Sequence, residues 1–507
     1  MSQEQPQIGS RLSRVIEQDG LQFRDLDGDG VLAPYEDWRL TPAERAADLV
    51  KRMNVEEKAG LMIIGSHYPG YSPLAPESEG KVAEKCEPLL NPVDMWREDN
   101  PITGVPFTEP VLATSSTENA INLRNQRYLI VRDNLPAREL ATWTNAVQEV
   151  AERSRLGIPV VFASNPRNHV ALVAQFGVNE SAGVFSEWPG ELGLRDAELM
   201  ETFGTEAAKE WRAGGVHKLY GYMADLASEP RWSRFNGTFG EDPELISDYI
   251  AAVVRGLQGP ELSKNSVSTT IKHFPGGGVR LDGHDPHFHW GQTNEYPTED
   301  ALGKYHLPPF QAAIDAGCAS IMPYYARPMN NSANQLDQQL WQNPTTQFEE
   351  VAFAYNRTFI QDLLRDAMGH RGYVNSDSGV IDTMMWGVEE LSEPERFAAA
   401  VRAGTDIFSD MANPRRLLEA VAEGHLDESE LNQPVQRLLE EIFQLGLFEN
   451  PYVSEDEAEK IIGAPEVSAL GNKAQLDSVT LLRNNPSVLP LDPAASLKIY
   501  PLVTGRT

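Results

Sequence analysis

The chain has 507 residues, in which 43 lysines and arginines face 74 aspartates and glutamates for a net charge of -31. Such an excess of negative charge repels phosphate backbones and anionic lipid headgroups, so nucleic acid and membrane surfaces are excluded as partners. No run approaches the roughly 20 apolar residues of a membrane span. Residues Met1 to Ser10 lack the apolar core of a secretion signal. The protein is therefore expected in the cytoplasm if Met1 is its native start, and in the periplasm or outside the cell if a leader has been removed. Two cysteines, Cys86 and Cys318, make neither a disulfide framework nor a thiolate metal site.

In chain order, the first informative stretch runs from Asp25 to Glu36. Acids at Asp25, Asp27 and Asp29, a glycine at Gly30, a backbone carbonyl at Val31 and an acid at Glu36 follow the ligand spacing of an EF-hand calcium loop. Gly20 interrupts the helix that should precede such a loop and Pro34 is unusual within it, so the expectation is a lone, EF-hand-like loop holding structural calcium. The alternative is a surface turn rich in aspartate and glycine. From Thr41 to Met62 the pattern gives an N-cap threonine, proline at the first helical position and Glu44 three residues after the cap. It predicts an amphipathic helix followed by a second helical turn. Ser66 to Pro110, rich in glycine, proline and acids, reads as a long surface excursion.

A helix is expected over Glu139 to Arg155, and from there short apolar runs alternate with helical stretches. Strands are predicted at Leu156 to Ala163, Val216 to Met223, Ser268 to His273, Ala319 to Met322, Gly372 to Ser376 and Asp406 to Phe408. This alternation implies an α/β fold with a parallel sheet, and its span suits a TIM-like (β/α)8 barrel. In such barrels chemistry collects at the carboxyl ends of the strands. Asp377 stands at one such exit, although a turn-forming aspartate that bonds its own backbone would read the same way. Lys272 and His273 stand at another, and Arg231 and Arg234 follow a third. A lysine, a histidine and an arginine can grip neighbouring hydroxyls with charge-assisted bonds. Arg231 could equally bind a core carboxylate.

The motifs RMNVEEKAGLM, SRLGIPVVF, EPRWSRFNGTFGEDPEL, IKHFPGGG, AGCASIMPYY, GYVNSDSG, RAGTDIF and SVTLLRNNPSVLPL occur in this order between Thr41 and Leu491. As a series they resemble glycoside hydrolase family 3, the β-glucosidase and β-xylosidase family. The resemblance implies a retaining, exo-acting β-glycosidase that releases a monosaccharide from the non-reducing end of β-glucosides or related oligosaccharides. It makes Asp377 the nucleophile and Arg234, Lys272, His273 and Tyr325 binders of the sugar, with no catalytic cofactor. The family's acid in the FGED-like motif is replaced here by Asn165, which can bond hydroxyls without charge. Ser378 stands where an aromatic commonly follows the nucleophile.

The implied organisation is an N-terminal extension (1–40), a barrel (41–410), a helical linker (411–475) and the start of an α/β sandwich domain (476–507). In the family that second domain usually supplies the acid/base, so a C-terminal remainder, as a second chain or a further domain, is the expected partner. A rival source is the loop Asp282 to His287, where Asp282 and His284 resemble in placement the Asp-x-His acid/base of the family's single-domain members. That histidine-rich loop could equally bind a metal or cover the pocket. The rival function is a catalytically inactive, calcium-stabilised carbohydrate-binding or assembly subunit.

Overall fold

The computed structural model describes residues 4–70, 89–100, 104, 106–168, 184–188, 196–484, 489–492, 494, 496 and 498. Eight strands close a parallel barrel in chain order. They are β1 (Ile63–His67), β2 (Tyr128–Val131), β3 (Val161–Ser164), β4 (Lys218–Leu219), β5 (Ser268–Phe274), β6 (Ser320–Pro323), β7 (Tyr373–Ser378) and β8 (Ile407–Ser409), with β8 returning to β1. Helices cover the barrel's outer face, so its strands are buried on both sides. Such strands read as short apolar runs rather than as alternating patterns. Six of the eight fall on the predicted runs; β1 and β2 were not predicted.

Local signals fix the helices. Thr41 and Glu44 form a reciprocal cap at the start of Pro42–Arg52, and Asn54 and Glu57 do the same for Val55–Leu61. Each such cap contributes about 1 kcal/mol. Asp242 caps Pro243–Gln258, with proline at its first position. The helix Asn432–Gln444, assigned from sequence to a linker, is part of the barrel's closure: Tyr128 Oη donates to the Leu438 carbonyl at 2.9 Å, and the hydroxyls of Tyr128 and Tyr373 donate to Glu441 at 2.8 and 2.9 Å. The barrel interior is filled by side chains in layers, as in other barrels of this size. Lys218 donates to Ser320 at 2.9 Å, and nearer the C-terminal mouth Tyr220 bonds Asn375 and Ser409 at 3.0 and 2.9 Å.

Ahead of the barrel, a hairpin (Arg14–Gln18 and Leu21–Asp25) takes the place of the helix expected before an EF-hand loop, turning at Asp19 and Gly20. The N-terminal segment is tied down by Glu152, at the end of the helix Ala137–Glu152. Its carboxylate accepts from Ser10 at 2.8 Å, from the Ser13 hydroxyl at 2.5 Å and from Arg24 at 2.7 Å, and it also bonds Tyr452. Within the expected surface excursion, Met95–Asp99 and Pro106–Thr114 pair as an antiparallel hairpin. Residues 71–88, with Cys86, lie outside the described residues, and Cys318 is buried. The expected sandwich start at 476–507 lies partly outside them as well. Those of its residues after Asp477 that are described form neither helix nor strand. Among the described residues no helix is long and apolar enough to cross a membrane.

Candidate active site

Asp377 is the penultimate residue of β7, so the strand's direction delivers it to the C-terminal mouth of the barrel. Gly379, at φ 67°, takes the chain away immediately afterwards in a conformation that a side chain would strain. Oδ1 of Asp377 accepts two hydrogen bonds at 2.9 Å, from the Tyr325 hydroxyl and from the Ser378 N–H. Oδ2 is buried and accepts none. One oxygen is thus fixed and the other left bare, with Nε2 of His273 at 3.8 Å from it. Burial and the Asp377 charge push the Tyr325 phenol well above its ordinary range, so it keeps the proton it donates.

His273, from β5, is oriented from behind. Its Nδ1 bonds Asp225 at 2.7 Å, and Asp225 also accepts from the His273 N–H and from the Gly277 N–H. A Cβ on Gly277 would stand 2.9 Å from the Asp225 carboxylate and 2.9 Å from the Tyr324 ring, so only glycine lets the backbone approach this closely. Burial opposes ionisation of Asp225, but the facing His273 and these donors hold its carboxyl below the ordinary value. Burial, aided by Arg234, holds the His273 imidazole low. At neutral pH the pair is therefore carboxylate and neutral imidazole, with the proton on Nδ1 and Nε2 turned toward Asp377. Burial opposes the charge on Arg234 too, yet Tyr324, Asp285 and Asp377 together hold its guanidinium above the ordinary arginine value.

The loop after β5 brings in a second acid and histidine pair. Asp285 accepts from Trp232 Nε1 at 2.8 Å and from the His287 N–H at 3.0 Å, and its carboxylate bonds His287 Nδ1. The His287 ring meets Tyr325 edge to face, 4.8 Å between centroids. Burial works against the Asp285 charge, but His287 and Arg234 hold the carboxyl well below the carboxylate range. The rival acid/base pair expected in this loop was Asp282 and His284. Both are exposed, and Asp282 pairs at 3.4 Å with Arg231, which is exposed and bonded to Glu229. Arg231, Asp282 and His284 thus stand outside the hydrogen bonds that hold Asp377. Asn165 follows directly on β3, half-buried, and Lys272 lies buried in β5.

At the N-terminal loop, Asp25, Asp27 and Asp29 bring carboxylate oxygens within 4.8 Å of one another, a donor set that suits a hard cation. Glu36 departs from the expected role. Its carboxylate turns inward and accepts from the backbone of Leu26 at 2.6 Å and Ala33 at 2.9 Å. Asp25 also accepts from Arg14 at 2.6 Å, so part of the loop's negative charge is already matched.

Residues 128–440 match the glycosyl hydrolase family 3 N-terminal domain. The chain belongs to glycosyl hydrolase family 3. It is 35% identical over 512 residues to a periplasmic beta-glucosidase/beta-xylosidase of Dickeya chrysanthemi, covering 96% of this chain and 71% of that protein. It is 36% identical over 473 residues to beta-glucosidase C of Emericella nidulans, covering 90% and 68%. Its fold is similar to that of a β-glucosidase from Erythrobacter marinus, with a TM-score of 0.67 at 24% identity, covering 90% of this chain and 52% of that one. The family 3 chain described here spans about half the length of that structure. In this family 3 barrel, the mouth residues that motif reading passed over are Asp225, Tyr324, Asp285 and His287. Asp225 carried a signal close to that of Asp377, an acid two residues after a predicted strand. For Asp285 and His287 the Asp-x-His spacing was present twice in six residues, and only the fold shows which pair turns inward.

Proposed function

We propose that the chain carries the glycone-binding and nucleophilic half of a retaining β-glycosidase that acts from the non-reducing end of β-glucosides or related oligosaccharides. The observation that carries this reading is the state of Asp377: Oδ1 is held by Tyr325 and Ser378 while Oδ2 is buried and unbonded. A carboxylate fixed in this way is oriented before substrate arrives, and its bare oxygen can attack an anomeric carbon to form a glycosyl-enzyme. Arg234, Lys272 and Asn165 offer donors for sugar hydroxyls at the same barrel mouth, and Nε2 of His273, whose Nδ1–H is committed to Asp225, offers an acceptor. The names of the relatives point to glucose or xylose as the sugar. Three carboxylates in the Asp25 to Asp29 loop would hold a cation such as calcium, away from the chemistry and with an effect on stability alone.

The general acid is assigned elsewhere. Asp225 and Asp285 are held ionised, which suits them to orienting histidines and not to protonating a leaving oxygen. In keeping with the family resemblance, the proton donor is proposed to lie on a C-terminal partner segment, as a second chain or a further domain. The test is replacement of Asp377 by alanine with a dinitrophenyl β-glucoside, whose leaving group needs no proton. Release should fall at least a thousandfold, and added azide should restore it with an α-glycosyl azide as product. Unaltered turnover in Asp377→Ala would remove the assignment.

A further inference from the structure

Next to the nucleophile's strand, the C-terminal ends of β8, β1 and β2 meet in one cluster. Asp410 directly follows β8 with φ 58°, a left-handed conformation that strains a residue other than glycine. Its carboxylate accepts from the Ser66 hydroxyl at 2.5 Å and from the Arg132 guanidinium at 2.9 and 3.0 Å. Arg132 also donates to the Ser66 hydroxyl at 2.8 Å, which closes a triangle of bonds across the three strand ends. Desolvation opposes the charge on Asp410, but Arg132, Ser66 and the Ser378 hydroxyl hold its carboxyl below the ordinary value. The hairpin Met95–Asp99 and Pro106–Thr114 covers the cluster. Thr114 donates to the Ser66 carbonyl at 2.8 Å, Asn100 donates to Thr383 in the turn after β7 at 3.1 Å, and Glu109 pairs with Arg415 after β8 at 2.9 Å.

Ser378 connects this cluster to Asp377. Its N–H donates to Oδ1 of Asp377 at 2.9 Å, and its hydroxyl interacts with Asp410. Ser378 and Ser409 are register partners on β7 and β8, and the Ser409 N–H donates to the Ser376 hydroxyl at 3.0 Å, so the two strand ends are bonded to each other beside the two acids. Tyr325, the other side chain on Oδ1, feels the charges of both Asp377 and Asp410. A turn alone at position 410 would be met by glycine without strain. A charged side chain kept in a strained backbone is accounted for by what it holds. We propose that Asp410 is a positioning residue for the nucleophile: anchored by Arg132 and Ser66, it fixes the Ser378 hydroxyl and thereby the N–H that aims Asp377. Ser378 and Asp410 thus act as one unit at the place where an aromatic commonly follows the nucleophile. The inference rests on the proposed function, since it takes Asp377 as the point of attack.

The test follows labelling of the full chain by a 2-deoxy-2-fluoro β-glucosyl fluoride in Ser378→Ala, Ser378→Thr, Asp410→Asn and the double variant of Ser378→Ala with Asp410→Asn. The maximal labelling rate should fall about tenfold in Ser378→Ala and in Asp410→Asn, with the half-saturating concentration within about twofold of wild type, because aim is lost and sugar binding is not. Ser378→Thr keeps the hydroxyl and should keep about half the rate or more. The double variant should be no slower than the slower single one, since members of one unit are not additive. Ser378→Ala and Ser378→Thr leave the Arg132 and Asp410 pair in place, so they carry the test if Asp410→Asn does not fold. An unchanged rate in Ser378→Ala, losses that multiply in the double variant, or a loss carried by the half-saturating concentration would each overturn the proposal. A labelled wild type without these effects removes the role of Asp410 alone. A wild type that takes up no label removes the function on which that role rests.

Discussion

The Tyr325 hydroxyl donates a hydrogen bond to Oδ1 of Asp377 across 2.9 Å, reaching from the loop after β6 to the end of β7. This bond selects which carboxylate oxygen is left to react. Charge-assisted bonds of this kind contribute about 1.5–3 kcal/mol, so Tyr325→Phe should lower kcat/KM for a dinitrophenyl β-glucoside by about ten- to a hundredfold. A loss under threefold, measured on protein of unchanged melting temperature, would show that the Ser378 N–H alone suffices.

Asp225 is argued to act through His273, as a positioning residue. Asp225→Asn keeps the size of the side chain but presents an amide to donors that need an acceptor. Removing the acceptor of buried hydrogen bonds to a charged group costs about 1.5–3 kcal/mol, and denaturant titration should show a loss of that order. Because His273 would lose its fixed tautomer and orientation, kcat should fall more than KM changes. A stability loss with kinetics intact would make Asp225 purely structural.

Glu152 predicts an acid-labile clamp. Burial pushes its carboxyl up, but Ser13, Tyr452 and Arg24 outweigh burial and bring it down to about 2 from an ordinary value of 4.5. A carboxyl with a depressed folded value stabilises fully above its unfolded value, and that contribution is lost as pH falls from 4.5 toward 2. The amount at stake is about 2–3 kcal/mol. Glu152→Gln should lower the melting temperature at pH 7 and flatten the decline below pH 4.5. A variant curve parallel to the wild type would contradict this.

Chelation supplies a further check. If the Asp25 to Asp29 carboxylates hold calcium, EDTA should lower the melting temperature and excess calcium should restore it, with little change in activity at moderate temperature. Asp27→Asn should abolish the response. An absence of any shift would leave the loop as a turn whose charge is matched by Arg14.

What the sequence made legible follows from what each signal depends on. β7 and Asp377 were readable because a buried strand ending in an acid, then serine and glycine, is a local pattern. β1 was missed because Ile63 and Ile64 continue the apolar pattern of the helix before them, and Gly65, Ser66 and His67 look like loop. β2 was missed because four residues between irregular segments give no period to detect. The hairpin from Met95 to Thr114 was hidden by prolines and acids, and its pairing depends on contacts with the turns after β7 and β8. The inward Asp285 and His287 could not be chosen over Asp282 and His284 because direction is a property of the folded loop.

The central claim is that Asp377 is the atom's-reach partner of the anomeric carbon. The most direct measurement is incubation of the chain with a 2-deoxy-2-fluoro β-glucosyl fluoride, whose fluoride leaves without a proton and whose glycosyl-enzyme turns over slowly, followed by mass spectrometry of the intact protein and its peptides. The account predicts one fluoroglucosyl group per chain, on Asp377, and none in Asp377→Ala. A label on another carboxylate, or a wild-type chain that takes up no label, would contradict it.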